Sequence, residues 1–148
     1  MTRELREDPH VAKCAYRWER ERWPDLRFSV DYPLAWNFMK LLMNHYRVRV
    51  GFFYCPSDPG NRLSGACDFE KFGKIRIARV ILYEPFYLGT VGHEFTHALR
   101  YVRHEKRGHG DTWRDDLKEV QDRVRAWVPE WVCAQPLPKP EPAREEKP

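Results

Sequence analysis

His93-Glu94-Phe95-Thr96-His97 is the stretch of this chain best equipped for chemistry. Two histidines four residues apart fall on one face of a helix, about one turn from each other. Their imidazoles can share a divalent ion, and zinc is the first expectation for such nitrogen ligands. Glu94 stands beside them, placed to act as general base toward a water on that ion. This is a hydrolase site in outline, and it needs a third ligand. A chain of this composition contains H-E-x-x-H by chance in roughly two cases in a hundred, so the context has to agree. Leu88, Val91, Phe95, Ala98, Leu99 and Val102 recur at helical spacing as one apolar stripe. His93, Glu94 and His97 fall largely off that stripe, so the helix can bury one side and turn the histidines toward a cleft.

Three residues downstream are candidates for the third ligand: His104, His109 and Asp111. If the helix continues, His104 shares a face with His97 but lies ~10 Å further along the axis, too far for bonds of ~2.1 Å to one ion. Arg103 occupies the position where metzincin spacing would put the third histidine. His104 therefore reads as a surface or supporting residue. His109 lies between Gly108 and Gly110, where the chain can turn sharply and double back. It immediately precedes a further helix, and it is the favoured ligand. Asp111 reads as chemistry of that helix's N-terminus, with a supporting hydrogen bond to the site as the sharper alternative.

The elements that must position these residues are legible from pattern. Asp8-Pro9 reads as N-cap and first residue of a helix ended by Trp23-Pro24, with Val11, Cys14, Ala15 and Trp18 as its apolar stripe. Residues 26–30 alternate like a short strand. Tyr32-Pro33 opens a second helix to about His45, with Leu34, Phe38, Leu41 and Leu42 on one side. The aromatic and β-branched run 46–54 predicts a strand, and 56–61 a loop. Two strand-like runs, 63–70 and 74–80, joined through Lys71-Phe72-Gly73, predict a hairpin. A last helix runs from Thr112 to about Trp127 on Trp113, Leu117, Val120, Val124 and Trp127, with Thr112 and Asp115 resembling a capping box. Docking Trp113 and Leu117 on the stripe of the H-E-x-x-H helix would hold His109 near the other histidines.

Composition suits one α+β domain over residues 1–134, with an N-terminal helix at about 9–22 and a core at about 30–127. A proline-rich tail, 135–148, is expected to be extended or disordered. No apolar run approaches membrane-spanning length, and the charged N-terminus has no apolar signal region. Cys14, Cys55, Cys67 and Cys133 form no C-x-x-C pair, so free thiols in a reducing, cytoplasmic setting are the expectation, with no zinc ribbon. Net charge is +4, with a local cluster at Arg100, Arg103, Lys106 and Arg107. Such a bias permits DNA contact through a basic surface without demanding it.

The elements His93-Glu94-Phe95-Thr96-His97 and Gly108-His109-Gly110-Asp111-Thr112-Trp113 together resemble the SprT-like metallopeptidases, whose pattern is H-E-x-x-H followed by G-H-G-x-x-aromatic. Leu63-Ser64-Gly65-Ala66-Cys67 and Ile75-Arg76-Ile77-Ala78 look like that family's hairpin. The resemblance spans roughly residues 30–127. It implies a zincin-like minimal domain, in which a small, mostly antiparallel sheet packs on the active-site helix. It also implies a zinc site of His93, His97 and His109, with Glu94 as catalytic base and a protein or peptide as substrate. In some members it implies cleavage of proteins crosslinked to DNA. Two competing classes are a non-proteolytic nucleic-acid-binding module built on a structural zinc, with Trp18, Trp23 and Trp36 as stacking aromatics, and a zinc hydrolase of another substrate class. Tyr101 is a weak candidate to assist an oxyanion, and the strand 74–80 is a candidate to pair with an extended substrate.

Overall fold

The computed structural model describes residues 8–56, 64–110 and 112–128. Expectations for the loop after Pro56, for Asp111, for Cys133 and for the tail 135–148 lie outside these residues.

Helix α1 spans Pro9–Arg22, and the Asp8 carboxylate accepts from the His10 amide, as the Asp-Pro signal predicts. Of its anticipated apolar stripe only Ala15 is fully buried. After a single 3-10 turn the chain pairs Ser29–Val30 (β1), only two residues long, with Phe86–Tyr87 (β5) in antiparallel register. Helix α2 spans Tyr32–Tyr46, capped by Asp31, which accepts from the Leu34 amide. Its buried side is Ala35, Phe38, Met39, Leu42 and Tyr46, while Leu41 is exposed. The apolar face is thus rotated from the one anticipated. The strand expected over 46–54 is shorter. The helix claims Tyr46 and closes at Arg47 in the left-handed conformation, and β2 covers only Gly51–Cys55.

The hairpin forms as predicted, with β3 at Gly65–Phe72 and β4 at Ile75–Tyr83. Gly73, at φ +59°, supplies the turn between them, a conformation that costs glycine least. The sheet order is β2-β4-β3, with β4 antiparallel to β3 and parallel to β2. The sheet is therefore mixed: the long antiparallel hairpin is compatible with the mostly antiparallel sheet expected, and the parallel β2–β4 pairing is added to it. β4 is the central strand, but within 74–80 it is paired on both sides only at Arg79 and Val80, while Ile75–Ala78 pairs with β3 alone; β3 is an edge strand of this sheet.

Helix α3 spans Leu88–His104. Its stripe of Leu88, Val91, Phe95, Ala98 and Leu99 is buried against Ala78, Val80 and Leu82 of the sheet and the apolar face of α4, Trp113–Trp127. Burial of this apolar surface is the principal force fixing α3, at roughly 25 cal/mol per Å² removed from water. The capping box expected at Thr112 and Asp115 is absent. Thr112 sits at φ 60° and makes no side-chain cap, and its hydroxyl instead accepts from Arg100. No helix among the described residues is long and apolar enough to cross a membrane.

Candidate metal centre

The second and third turns of α3 carry His93, Glu94 and His97, all buried at 5%, 7% and 9% exposure. Helix α3 ends at Glu105 in the left-handed conformation, and Gly108, at φ +76°, turns the chain back. That reversal brings His109 over the helix. Its Nε2 lies 3.1 Å from Nε2 of His97 and 3.3 Å from Nε2 of His93. The three histidines form a group whose ligand atoms lie within 4.8 Å of one another. Nitrogens ~2.1 Å from one tetrahedral ion are separated by ~3.4 Å, so these spacings fit a shared zinc. The donor set fits as well, since imidazole nitrogens suit zinc and, among the described residues, the group consists of the three histidines alone.

Several contacts hold the loop that delivers His109. Arg100 of α3, buried at 3% exposure, donates to Thr112 and pairs with Asp116, tying the end of the loop and the start of α4 to α3. Trp113 stacks on the His97 ring at 4.4 Å and meets His93 edge-on at 5.0 Å. The expected docking of Trp113 and Leu117 on α3 is therefore present, with Trp113 forming the floor of the site as well as core.

Electrostatics favour lone pairs and a strong base. Burial, with His93, His109 and Arg100 close by, holds the His97 imidazole well below its ordinary range and therefore neutral. Burial pushes the Glu94 carboxyl up to about 7, with the charge of Glu19 adding to the rise and His93 opposing it. Its Oε1 is 3.9 Å from Nε2 of His93, beside the cluster rather than in it. Gly65 on β3 leaves room for this carboxylate: a Cβ there would lie 2.9 Å from Glu94 Cγ and 2.7 Å from Thr90 Cγ2.

Two residues of α1 join the site without having been singled out in the sequence. The Glu19 carboxylate is 2.6 Å from Nδ1 of His93. Tyr16, 42% exposed, stacks on the His93 ring at 5.3 Å and tilts against His109 at 5.0 Å. Gln121 of α4, fully buried, donates to both Glu19 and the Gly89 carbonyl. The available signal was a polar residue on an apolar stripe: Glu19 is four on from Ala15, and Gln121 four on from Leu117.

Other candidates stand elsewhere. His104 is exposed at the end of α3. Tyr101 is buried, with its ring 4.6 Å from Phe69 and the Arg107 guanidinium over it, which is ordinary packing. Arg100 is turned inward, and Arg103 donates to the Tyr46 carbonyl while stacking on its ring, so half of the basic cluster serves the fold. Trp23 is buried and Trp36 packs on Phe52, which leaves neither as a free stacking platform.

An α+β chain brings two buried histidines of one helix and a partly buried one of the following loop into a group that could hold a metal ion. Comparison with known families narrows that reading: the SprT-like family model matches residues 54–132, more than half of the chain. The chain belongs to the SprT-like family. No curated protein and no solved structure matches it. The match includes the three histidines and Glu94, whereas α1 and α2 precede it.

Proposed function

We propose that this chain is a zinc-dependent metallopeptidase in which His93, His97 and His109 hold the metal and Glu94 is the catalytic base. The observation that carries the reading is the convergence of three Nε2 atoms at ligand spacing, with a buried carboxylate beside them. Zinc bound there would supply Lewis acidity, polarising a peptide carbonyl and acidifying the attacking water. Glu94, with its proton affinity raised by burial, takes a proton from that water and passes it to the leaving amine. Among the described residues the cluster offers three ligating groups, which suits a catalytic site with an open position better than a closed structural one.

β3 is an edge strand of its sheet, and at its start Gly65 lies against the Glu94 side chain while Ser64 accepts from Thr90. An extended polypeptide pairing with that edge would bring its backbone past the base. Proteins held on DNA are the substrate class that the family resemblance suggests, and cytoplasmic action is the setting that free Cys14, Cys55 and Cys67 suggest.

The test is proteolysis of casein and of a DNA-bound basic protein, with and without DNA, by the zinc-loaded chain. Chelation should abolish cleavage and zinc should restore it. Glu94→Gln should lower kcat by about 10²–10⁴-fold while zinc stays bound. Full activity in that variant would refute the role of Glu94.

A further inference from the structure

We infer that Glu19 of α1, oriented by Gln121 of α4, is a positioning residue for His93. The inference deepens the metal-centre reading above and rests on it for what His93 binds.

The geometry forms a chain of three side chains from three helices. Gln121 Nε2 donates to Glu19 Oε1 at 3.0 Å, and Glu19 Oε2 lies 2.6 Å from His93 Nδ1. A carboxylate oxygen accepts, so Nδ1 carries the hydrogen and Nε2 keeps its lone pair. Nε2 is the atom that faces His109. The contact therefore selects the tautomer in which His93 can bind a cation, and it fixes the plane of the ring. Tyr16, one turn before Glu19, covers the other side of that ring in a nearly parallel stack of 16°.

Gln121 is oriented by its acceptors. Its amide N–H groups meet Glu19 and the Gly89 carbonyl at 3.0 and 2.8 Å. A flipped amide would set oxygen against both acceptors. In the orientation present, Oε1 is buried with no hydrogen-bond partner among the described residues. A buried acceptor left unmade costs roughly 1–3 kcal/mol. Leucine at this position would extend the stripe of Leu117, Val120 and Val124 without that cost. The amide is placed where only its contact with Glu19 and Gly89 offsets the burial of a polar group. Gly92 accommodates it, because a Cβ there would fall 2.0 Å from Oε1.

Glu19 can reach the site because α1 is clamped at its C-terminal end. Trp23, 2% exposed, donates to Asp122 at 2.9 Å, and Arg125 holds Asp25 through two contacts of 2.6 and 2.7 Å. These contacts tie the end of α1 to α4, the helix that carries Gln121, and the whole of α1 lies outside the segment matched by the family model.

The experiment measures zinc affinity by competition with a chromophoric chelator for the full chain, Glu19→Gln, Glu19→Ala and Gln121→Leu. Metal-free melting and the tautomer of the His93 ring, read from long-range proton–nitrogen spectra of labelled histidine, are followed in parallel. Glu19→Gln is nearly isosteric, but one of its two head atoms becomes a donor facing either the Gln121 amide or Nδ1–H. Zinc affinity should fall about 10–100-fold in both Glu19 variants and less in Gln121→Leu, and His93 should lose its single tautomer. A Glu19→Gln protein that melts like the parent, binds zinc equally and keeps the Nδ1–H tautomer overturns the inference and leaves the three-histidine centre standing. A parent chain that binds no zinc overturns both. If Glu19→Ala fails to fold, Glu19→Gln and Gln121→Leu decide the matter alone.

Discussion

Gly92→Ala in α3 is the perturbation whose sign separates this packing from helix propensity alone. In a helix interior, replacing glycine by alanine ordinarily stabilises by about 1 kcal/mol. Here the new Cβ would lie 2.0 Å from Gln121 Oε1 and 2.7 Å from its Cδ, against an ordinary contact beyond ~3.4 Å. The amide is enclosed between α3 and α4 and cannot give way by that much while keeping both acceptors. Expelling it breaks the donation to Glu19, worth roughly 1.5–3 kcal/mol as a bond to a charged group, and the donation to Gly89, worth roughly 0.5–1.5. Set against the propensity gain, the net destabilisation is about 1–3.5 kcal/mol. For a domain of this size that lowers Tm by about 3–10 °C. The assay is a thermal melt of the metal-free protein in chelator, so that zinc linkage does not enter. A double-mutant cycle with Gln121→Ala completes it: once the amide is gone the same Gly92→Ala change should become neutral or stabilising. A single mutant that melts at or above the parent, or a cycle without that reversal, would refute the reasoning.

Two further outcomes follow from the same contacts. Gly65→Ala places a Cβ 2.9 Å from Glu94 Cγ and 3.2 Å from the Ile81 carbonyl, so kcat should fall about 10–100-fold with zinc affinity retained; a parental kcat would show that the base is not confined by β3. The Cys67 thiol is pushed up strongly by burial and then by the charges of Glu94 and Asp68, so iodoacetamide near pH 8 should modify Cys14 and Cys55 well before Cys67, with peptide mapping as the check.

What could be read from sequence was whatever is local. The α3 stripe and the H-E-x-x-H spacing are properties of one helix, and the structure keeps both. His109 was readable because Gly108 and Gly110 mark a reversal within a dozen residues of His97, so few geometries were open. The strand expected over 46–54 failed at Tyr46, where α2 runs one residue past its expected end and the buried ring packs beside Phe95. The parallel pairing of β2 with β4 was not readable, because it depends on a crossover and not on either strand's own pattern. The inward turn of Arg100 was hidden in a similar way. Arg100 looks like surface charge in sequence, and its partners Thr112 and Asp116 come from another element.

The support of His93 lies furthest from local pattern. Glu19 precedes it by 74 positions, and α1 presents to a reader of sequence only a weak apolar stripe among charges. On such a helix one more glutamate looks like solubility. Its position four residues after the one fully buried residue, Ala15, marks it as facing inward, where a carboxylate needs a partner. Gln121 shows the same mark on α4. A polar residue at an apolar-face position costs free energy unless something answers it, so two such residues on separate helices suggest that they answer each other. Here they do, and Glu19, held by Gln121, meets Nδ1 of the histidine whose Nε2 faces His109. The chemistry of the centre is thus written in a segment of some twenty residues, from His93 to Trp113. Its rigidity is distributed over helices that the motif does not include.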